Sequence, residues 1–307
     1  VRESPFTLVL ALVNIAVFLW AESVGSTVEG TTLLQFGAME PTHVWAGEYW
    51  RLVTPMFLHV GWIHLAMNTY FGFGLCAAIE RALGSRRFLV VYFASGAAAG
   101  CGSAFVAWLL QDGRQSAGAS GAIFGILGAL LAIRYHQLGS WKAFAADPGI
   151  RGTAIRIAIW TAIGLTAVHF DNSAHFFGLF AGALATILYV RRARLAWLGY
   201  AAALAGLFLA ATHPWSPPRG PDAERFATYS MGYITGSWPE AKSSPFIHNE
   251  AKGVRFSEKG CKHGVGLSCL VLAEYLEKKG DPDSIARSKE LYDRGCAIDP
   301  APCKQIH

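Results

Sequence analysis

Apolar residues in this chain gather in long blocks between short polar stretches. The blocks lack both the alternation of a half-buried strand and the broad polar stripe of a surface helix. Seven of them approach the roughly 20 residues that a helix needs to cross the hydrocarbon core of a bilayer. They cover 6–21, 57–79, 88–110, 118–136, 154–170, 174–190 and 195–212. In lipid the backbone finds no water, so each block must close its hydrogen bonds internally, as a helix. The pattern predicts an all-α fold, a polytopic bundle of membrane helices. The first block resembles the apolar stretch of a signal peptide, but it has no convincing small-residue cleavage site and six more spans follow, so it reads as an anchor.

Beyond residue 212 the pattern changes. Residues 213–243 read as a linker, because Pro214, Pro217, Pro218 and Pro221 resist helix formation. Residues 244–307 are polar, nearly balanced in charge and helical in period, which predicts a small α-helical domain after the membrane domain of residues 1–212. This tail repeats itself: Phe256-Ser257-Glu258-Lys259-Gly260-Cys261 is echoed by Leu291-Tyr292-Asp293-Arg294-Gly295-Cys296, 35 residues later, and Cys269 and Cys303 follow at similar spacing. A period of that length points to paired-helix repeats of the tetratricopeptide kind. A cysteine after a helix, with a second cysteine some seven residues on, resembles the cysteine-rich Sel-one-like repeats. That resemblance implies bridges Cys261–Cys269 and Cys296–Cys303, which would help to stabilise an array too short to bury much surface. Ordinary helices carrying free thiols are the alternative.

Composition agrees with a membrane protein. The 307 residues are 53% hydrophobic and 15% charged, against about 25% charge in a soluble domain. The net charge of +5 matters less than where it lies. Arg2 precedes the first span, and Arg81, Arg86 and Arg87 separate the second and third. Arg134, Lys142, Arg151 and Arg156 lie between or at the ends of the fourth and fifth, and Arg191, Arg192 and Arg194 between the sixth and seventh. The alternate loops hold only Arg51 and Arg114. By the positive-inside rule the N-terminus is cytoplasmic, and seven spans put the tail outside, in the periplasm if the membrane is a bacterial inner membrane. Four of the six cysteines lie in that tail, as an oxidising compartment allows. Nothing in the chain asks for nucleic acid.

Three spans carry polar groups that a packing helix does not need. Ser120 opens the fourth span within Gly118-Ala119-Ser120-Gly121, His64 and Asn68 lie in the second, and His175 opens the sixth. These spans run in the same direction, so the polar groups share one depth. Polar residues in lipid are costly and face the bundle interior. A serine there becomes a nucleophile when an imidazole takes its proton, which fits Ser120 and His175. His64 and Asn68, four residues apart, share a helix face and can donate to an oxyanion. Gly121, Gly125 and Gly128 on one span, with Gly178 and Gly182 on another, have the small-residue spacing that lets membrane helices approach closely. Taken singly, each group reads as helix packing, an interhelical hydrogen bond or interfacial solvation. Asp171 reads as a solvated loop residue.

Taken together, His59-Val60-Gly61-Trp62-Ile63-His64-Leu65-Ala66-Met67-Asn68, Gly118-Ala119-Ser120-Gly121-Ala122-Ile123-Phe124-Gly125 and Ala174-His175-Phe176-Phe177-Gly178, preceded by Trp50-Arg51, resemble the rhomboid family of intramembrane serine proteases. The resemblance covers about 200 residues. It implies a six-helix catalytic core with a seventh span, Ser120 as nucleophile, His175 as base, His64 and Asn68 at the oxyanion and His59 in a structural role. It implies transmembrane proteins as substrates within the lipid bilayer, and no cofactor. No His-Glu-x-x-His pattern or zinc-spaced cysteine pair marks a metal site in the spans. A non-catalytic relative that escorts membrane clients is the second hypothesis, against which the intact serine and histidine stand. A transporter is the third, without a clear inverted repeat to support it. The chemistry resides in the spans, so the tail reads as a module for binding protein partners, dispensable for the reaction itself.

Overall fold

The computed structural model describes residues 4–111, 113–166, 171–193, 195–213, 218, 221–236 and 248–303. Arg2, Arg194, Pro214 and Pro217 lie outside the described residues, as do the last residues of the fifth expected span and parts of the expected linker and tail. The described residues form helices and no strand. In chain order these are α1 (Pro5–Val24), α2 (Gly30–Phe36), α3 (Pro41–Trp45), two 3₁₀ turns (Tyr49–Leu52 and Thr54–Phe57), α4 (Gly61–Leu83), α5 (Ser85–Leu110), α6 (Ser120–Leu138), α7 (Trp141–Ala146), α8 (Pro148–Thr166), α9 (Asn172–Val190) and α10 (Ala196–Thr212). The tail adds α11 (Pro221–Thr235), α12 (Glu250–Lys262), α13 (Gly266–Lys279), α14 (Pro282–Ile298) and α15 (Pro300–Cys303).

Among the described residues, each expected span overlaps a helix. Five of them, α1, α4, α5, α6 and α9, are long and apolar enough to cross a membrane. The chain is an integral, multi-pass membrane protein built as an all-α helix bundle. Helix α10 is apolar but shorter, at 17 residues, and α8 ends at Thr166, where the described residues pause. The outer faces of these helices carry exposed Val9, Leu12, Val90, Phe180 and Leu198, as a lipid-facing surface requires.

Chain contacts divide the molecule into two units, Val1–Met39 with Trp50–Phe105 and Gln115–Ala211, and Glu40–Tyr49 with Val106–Arg114 and Thr212–His307. In the first unit, Ile79, Phe88, Val91, Ala122, Ile126, Ala129 and Ala185 form the buried core. Glu80, near the end of α4 and buried, ties three helices together. Its carboxylate accepts from the amides of Phe6 and Thr7 (3.1 and 2.8 Å), which open α1, from the Thr7 hydroxyl (2.8 Å) and from the Ser85 hydroxyl that opens α5 (2.7 Å). Amides in the first turn of a helix have no partner of their own, so a buried carboxylate there satisfies both sides. Arg51 does the converse at the end of α2. Its guanidinium, 2% exposed, donates to the carbonyls of Leu34 (2.8 Å) and Ala38 (3.0 Å), while Gly37, at φ +100°, caps that helix in the left-handed region.

The second unit corrects one expectation. Residues Pro221–Thr235 lie within the stretch read as a linker, yet they form α11, which packs on α12 and α13. Pro221 opens the helix, where a missing amide hydrogen costs nothing, instead of breaking it. Gly253 of α12 lets the two helices meet: a Cβ there would lie 2.8 Å from the Ser230 carbonyl oxygen. Disulfides join Cys261 to Cys269 across α12 and α13, and Cys296 to Cys303 across α14 and α15.

The Glu80 cluster yields a stability prediction. Glu80→Leu leaves buried amides without an acceptor and should cost about 3 kcal/mol, the upper end for hydrogen bonds to a charged group. Thermal unfolding in detergent should show a clear fall in midpoint relative to the native protein, and an unchanged midpoint would contradict the role assigned to Glu80.

Candidate active site

The site starts from glycine. Along α6 and α9 the helices approach until backbone meets backbone. A Cβ on Gly178 would lie 2.1 Å from the carbonyl oxygen of Gly121, one on Gly182 would lie 2.0 Å from that of Gly125, and one on Gly128 would lie 2.1 Å from that of Leu179. No real side chain fits at such distances, and the partners are backbone atoms that cannot swing aside. The close approach lets two short side chains on different helices touch.

Ser120 is the first residue of α6, and His175 lies in the first turn of α9. The Nε2 of His175 is 2.8 Å from the Oγ of Ser120. The imidazole stacks on Phe124, with ring centroids 4.2 Å apart and planes within 3° of parallel. Phe124 is four residues after Ser120 and shares its helix face, so the helix that carries the serine also sets the plane of the histidine.

Asp171 departs from the reading as a solvated loop residue. It caps α9, accepting from the Ala174 amide at 3.0 Å, and it also accepts from the hydroxyl of Ser103 on α5. The short spacing of an aspartate before a helical run was the available signal. The turn that carries His175 is thereby tied to a neighbouring helix.

His64 comes from the first turn of α4. Its Nδ1 accepts from the Val60 amide at 3.2 Å, which leaves the ring proton on Nε2. That nitrogen faces Gly118: a Cβ on Gly118 would lie 3.0 Å from it and 3.4 Å from the Ser120 Oγ. Gly118 also sits at φ +139°, which side chains disfavour, so the residue is required twice over. Its amide donates to the Pro55 carbonyl at 2.8 Å, and the chain before it is held by the pairing of Ser116 with Met39, through hydrogen bonds of 3.0 and 2.8 Å. Asn68, one turn beyond His64, donates from Nδ2 to the His64 carbonyl at 3.1 Å, which leaves its second amide hydrogen to be directed elsewhere. His59 is buried, edge-on to His64 with ring centroids 5.3 Å apart.

A cavity of about 590 Å³ brings these groups together, its wall including His64, Asn68, Gly118, Ser120, Asp171 and His175. Most of its remaining lining is apolar, from residues such as Met56 and Phe71. All four residues expected from the sequence to carry the chemistry, Ser120, His175, His64 and Asn68, line this one space. Among the described residues no three His, Cys, Asp or Glu side chains gather as a metal site would require. Trp50 is half exposed and stacks on the Arg51 guanidinium (4.4 Å), and neither lines the cavity.

Comparison with known proteins gives the arrangement a context. Residues 46–192 match the family model described as the Rhomboid domain. The chain is 39% identical over 180 residues to Rhomboid protease GluP of Bacillus subtilis (strain 168), a match covering 59% of this chain and 34% of that protein. It is 35% identical over 153 residues to RHOMBOID-like protein 5 of Arabidopsis thaliana, covering 49% of this chain and 47% of the relative. It is 34% identical over 146 residues to Putative rhomboid protease YdcA of Bacillus subtilis (strain 168), covering 48% of this chain and 70% of that one. The chain thus spans about a third of the first of these relatives and about half of the second.

The helix contact can be tested directly. Gly182→Ala places a methyl group against the Gly125 carbonyl and must part α6 from α9, whereas Gly199 on α10 has nothing within 4 Å of a new Cβ. A displacement of the reacting groups by about 1 Å costs on the order of a hundredfold in rate. Gly182→Ala should slow the reaction of Ser120 with a serine-directed fluorophosphonate by that order, and Gly199→Ala should leave it unchanged. Equal rates in the two variants would contradict the geometry.

Proposed function

This chain belongs to the rhomboid family, and we propose on that footing that it is a serine endopeptidase that cleaves transmembrane segments of other membrane proteins with a Ser120–His175 dyad. The observation that carries the reading is the 2.8 Å contact between Ser120 Oγ and His175 Nε2, made between two membrane helices at the wall of a 590 Å³ cavity.

The chemistry follows from the geometry. With its imidazole neutral and protonated on Nδ1, His175 accepts the Ser120 hydroxyl proton at Nε2 and acts as base. As Oγ attacks the peptide carbonyl, its proton passes to His175, and the carbonyl oxygen gains negative charge. Three donors are available to that oxygen in this reading: the amide of Ser120 in the first turn of α6, the Nε2–H of His64 and the second hydrogen of the Asn68 amide. His175 then returns the proton to the departing amine, leaving an acyl group on Ser120. A water molecule, deprotonated by the same imidazole, releases it. The stacking on Phe124 and the hold of Asp171 on the start of α9 keep the ring in position through both halves. Both halves need the peptide carbonyl to be accessible. A substrate helix must therefore open, and residues of low helix propensity near the scissile bond lower the cost.

Arginine-bearing loops alternate with loops poor in positive charge, which supports a cytoplasmic N-terminus and a tail on the opposite side. The two disulfides in the tail support the same orientation, since such bonds persist outside the cytoplasm. The tail, with helices α11 to α14 each packed on the next, then serves as a Sel-one-like module that recruits protein partners.

Two measurements test the catalytic roles. Ser120→Ala and His175→Ala should each abolish cleavage of a transmembrane substrate while the proteins remain folded and inserted, and the double variant should be no worse than either, because the pair acts as one unit. Activity retained in purified Ser120→Ala would refute the assignment. Asn68→Ala should lower kcat by about 10²–10³ with KM little changed, since its donor meets charge that exists only during reaction. A change confined to KM would make Asn68 a binding residue instead.

A further inference from the structure

The second unit contains a segment that its position in the chain does not explain. Residues Glu40–Tyr49 belong to the connection between α1 and α4, yet they form one compact unit with the C-terminal helices. At their centre is a polar pair with no exposure at all. Glu40 and His43 are each 0% exposed. The Glu40 carboxylate caps α3, accepting from the His43 amide at 2.9 Å, and lies 2.8 Å from His43 Nδ1. The other ring nitrogen of His43 lies 3.0 Å from the hydroxyl of Tyr233 on α11. Rings from the tail close over the imidazole, with centroids at 4.6 Å for Tyr229, 4.8 Å for Phe256 and 6.1 Å for Tyr233.

An ion pair closes the edge. Glu48, on the loop segment, meets Lys252 of α12 at 2.7 Å and Arg255 at 3.5 Å, and the Lys252 ammonium also lies over the Tyr233 ring at 4.0 Å. A carboxylate and an imidazole cannot be buried in a bare loop without heavy desolvation cost. The C-terminal helices are what bury them.

What flanks this segment connects it to the site. Met39, immediately before it, pairs through both backbone groups with Ser116, two residues before Gly118 and four before Ser120. Arg51, two residues after it, ties the carbonyls of Leu34 and Ala38. The segment that the tail grips therefore continues directly from Met39, the residue that pairs with the loop before the nucleophile.

We propose that the C-terminal helices clamp the first loop: by holding residues 40–49 through His43 and Glu48, they hold the Met39–Ser116 pairing and so position the backbone that presents Ser120. The tail is then a positioning device for the reaction as well as a module for partners, contrary to the sequence expectation that catalysis can dispense with it. This proposal rests on the proteolytic reading above.

The test uses the full chain in proteoliposomes with a single-span substrate. Lys252→Glu and Glu48→Lys each turn an attraction into a repulsion at the clamp, and the double variant restores one pair with its sign reversed. Neither residue lines the catalytic cavity. Each single variant should lower kcat about tenfold with little change in KM, as expected for misplaced reacting groups, and should speed amide hydrogen exchange at residues 40–49. The double variant should recover both, which also shows that the single variants had not simply misfolded. Faster exchange at 40–49 with native kcat would overturn the positioning role, and unchanged exchange in both single variants would overturn the clamp. A native protein that neither cleaves nor reacts with a fluorophosphonate would overturn the proteolytic reading and the positioning role with it, while the exchange measurement still decides whether the tail holds the loop.

Discussion

Two helices that touch through bare backbone are the constraint on which the rest of this structure depends. Gly178 against Gly121, Gly182 against Gly125 and Gly128 against Leu179 bring α6 and α9 closer than any pair of side chains would allow. In lipid, burying apolar surface does not itself drive helices together, so such contacts rely on packing that small residues permit. Once that contact is made, the first turns of α6 and α9 lie side by side, and a serine and a histidine 55 residues apart in sequence meet at 2.8 Å. The same glycine economy recurs at Gly118, where the backbone passes His64 with no room for a side chain.

Around that contact the molecule solves one problem repeatedly, the placement of polar groups where water is scarce. Glu80 satisfies the opening amides of α1 and the hydroxyl that opens α5. Asp171 caps α9 and takes a hydrogen bond from Ser103. Arg51 closes the carbonyls at the end of α2. Each joins separate helices or loops, so each charge that would otherwise be costly acts as a tether. In the second unit, Glu40, His43 and Tyr233 repeat the device in a small, disulfide-linked helical body.

The spans, and the gathering of the four candidate residues, were legible in the sequence because lipid imposes a simple rule: each crossing must be a continuous apolar helix, and polar interruptions stand out. Every expected span met a helix, and Ser120, His175, His64 and Asn68 line one cavity. Features governed by contacts distant in sequence were not legible. Helices α2 and α3 are too short to show a hydrophobic period, and their place is set by Arg51 and by the tail. Pro221 was read as a breaker because proline ends helices, whereas its position at the start of α11 makes it compatible with one. Phe124 looked like one more apolar residue of a span, and only the partner helix reveals that it carries the imidazole. The grip of Phe256 and Tyr233 on His43 joins residues about 200 positions apart, and neither end carries a local sign of the other.

The central claim is that peptide bonds are cut at the depth where Ser120 and His175 meet, inside the membrane region. Mass spectrometry of the products from a purified single-span substrate, co-reconstituted with the native protein in liposomes, tests this most directly. The account predicts two complementary fragments whose masses place the cut within or at the edge of the apolar span, absent when Ser120→Ala replaces the native protein. Cleavage confined to the substrate's water-exposed domains, or fragments of the same mass with Ser120→Ala, would contradict it.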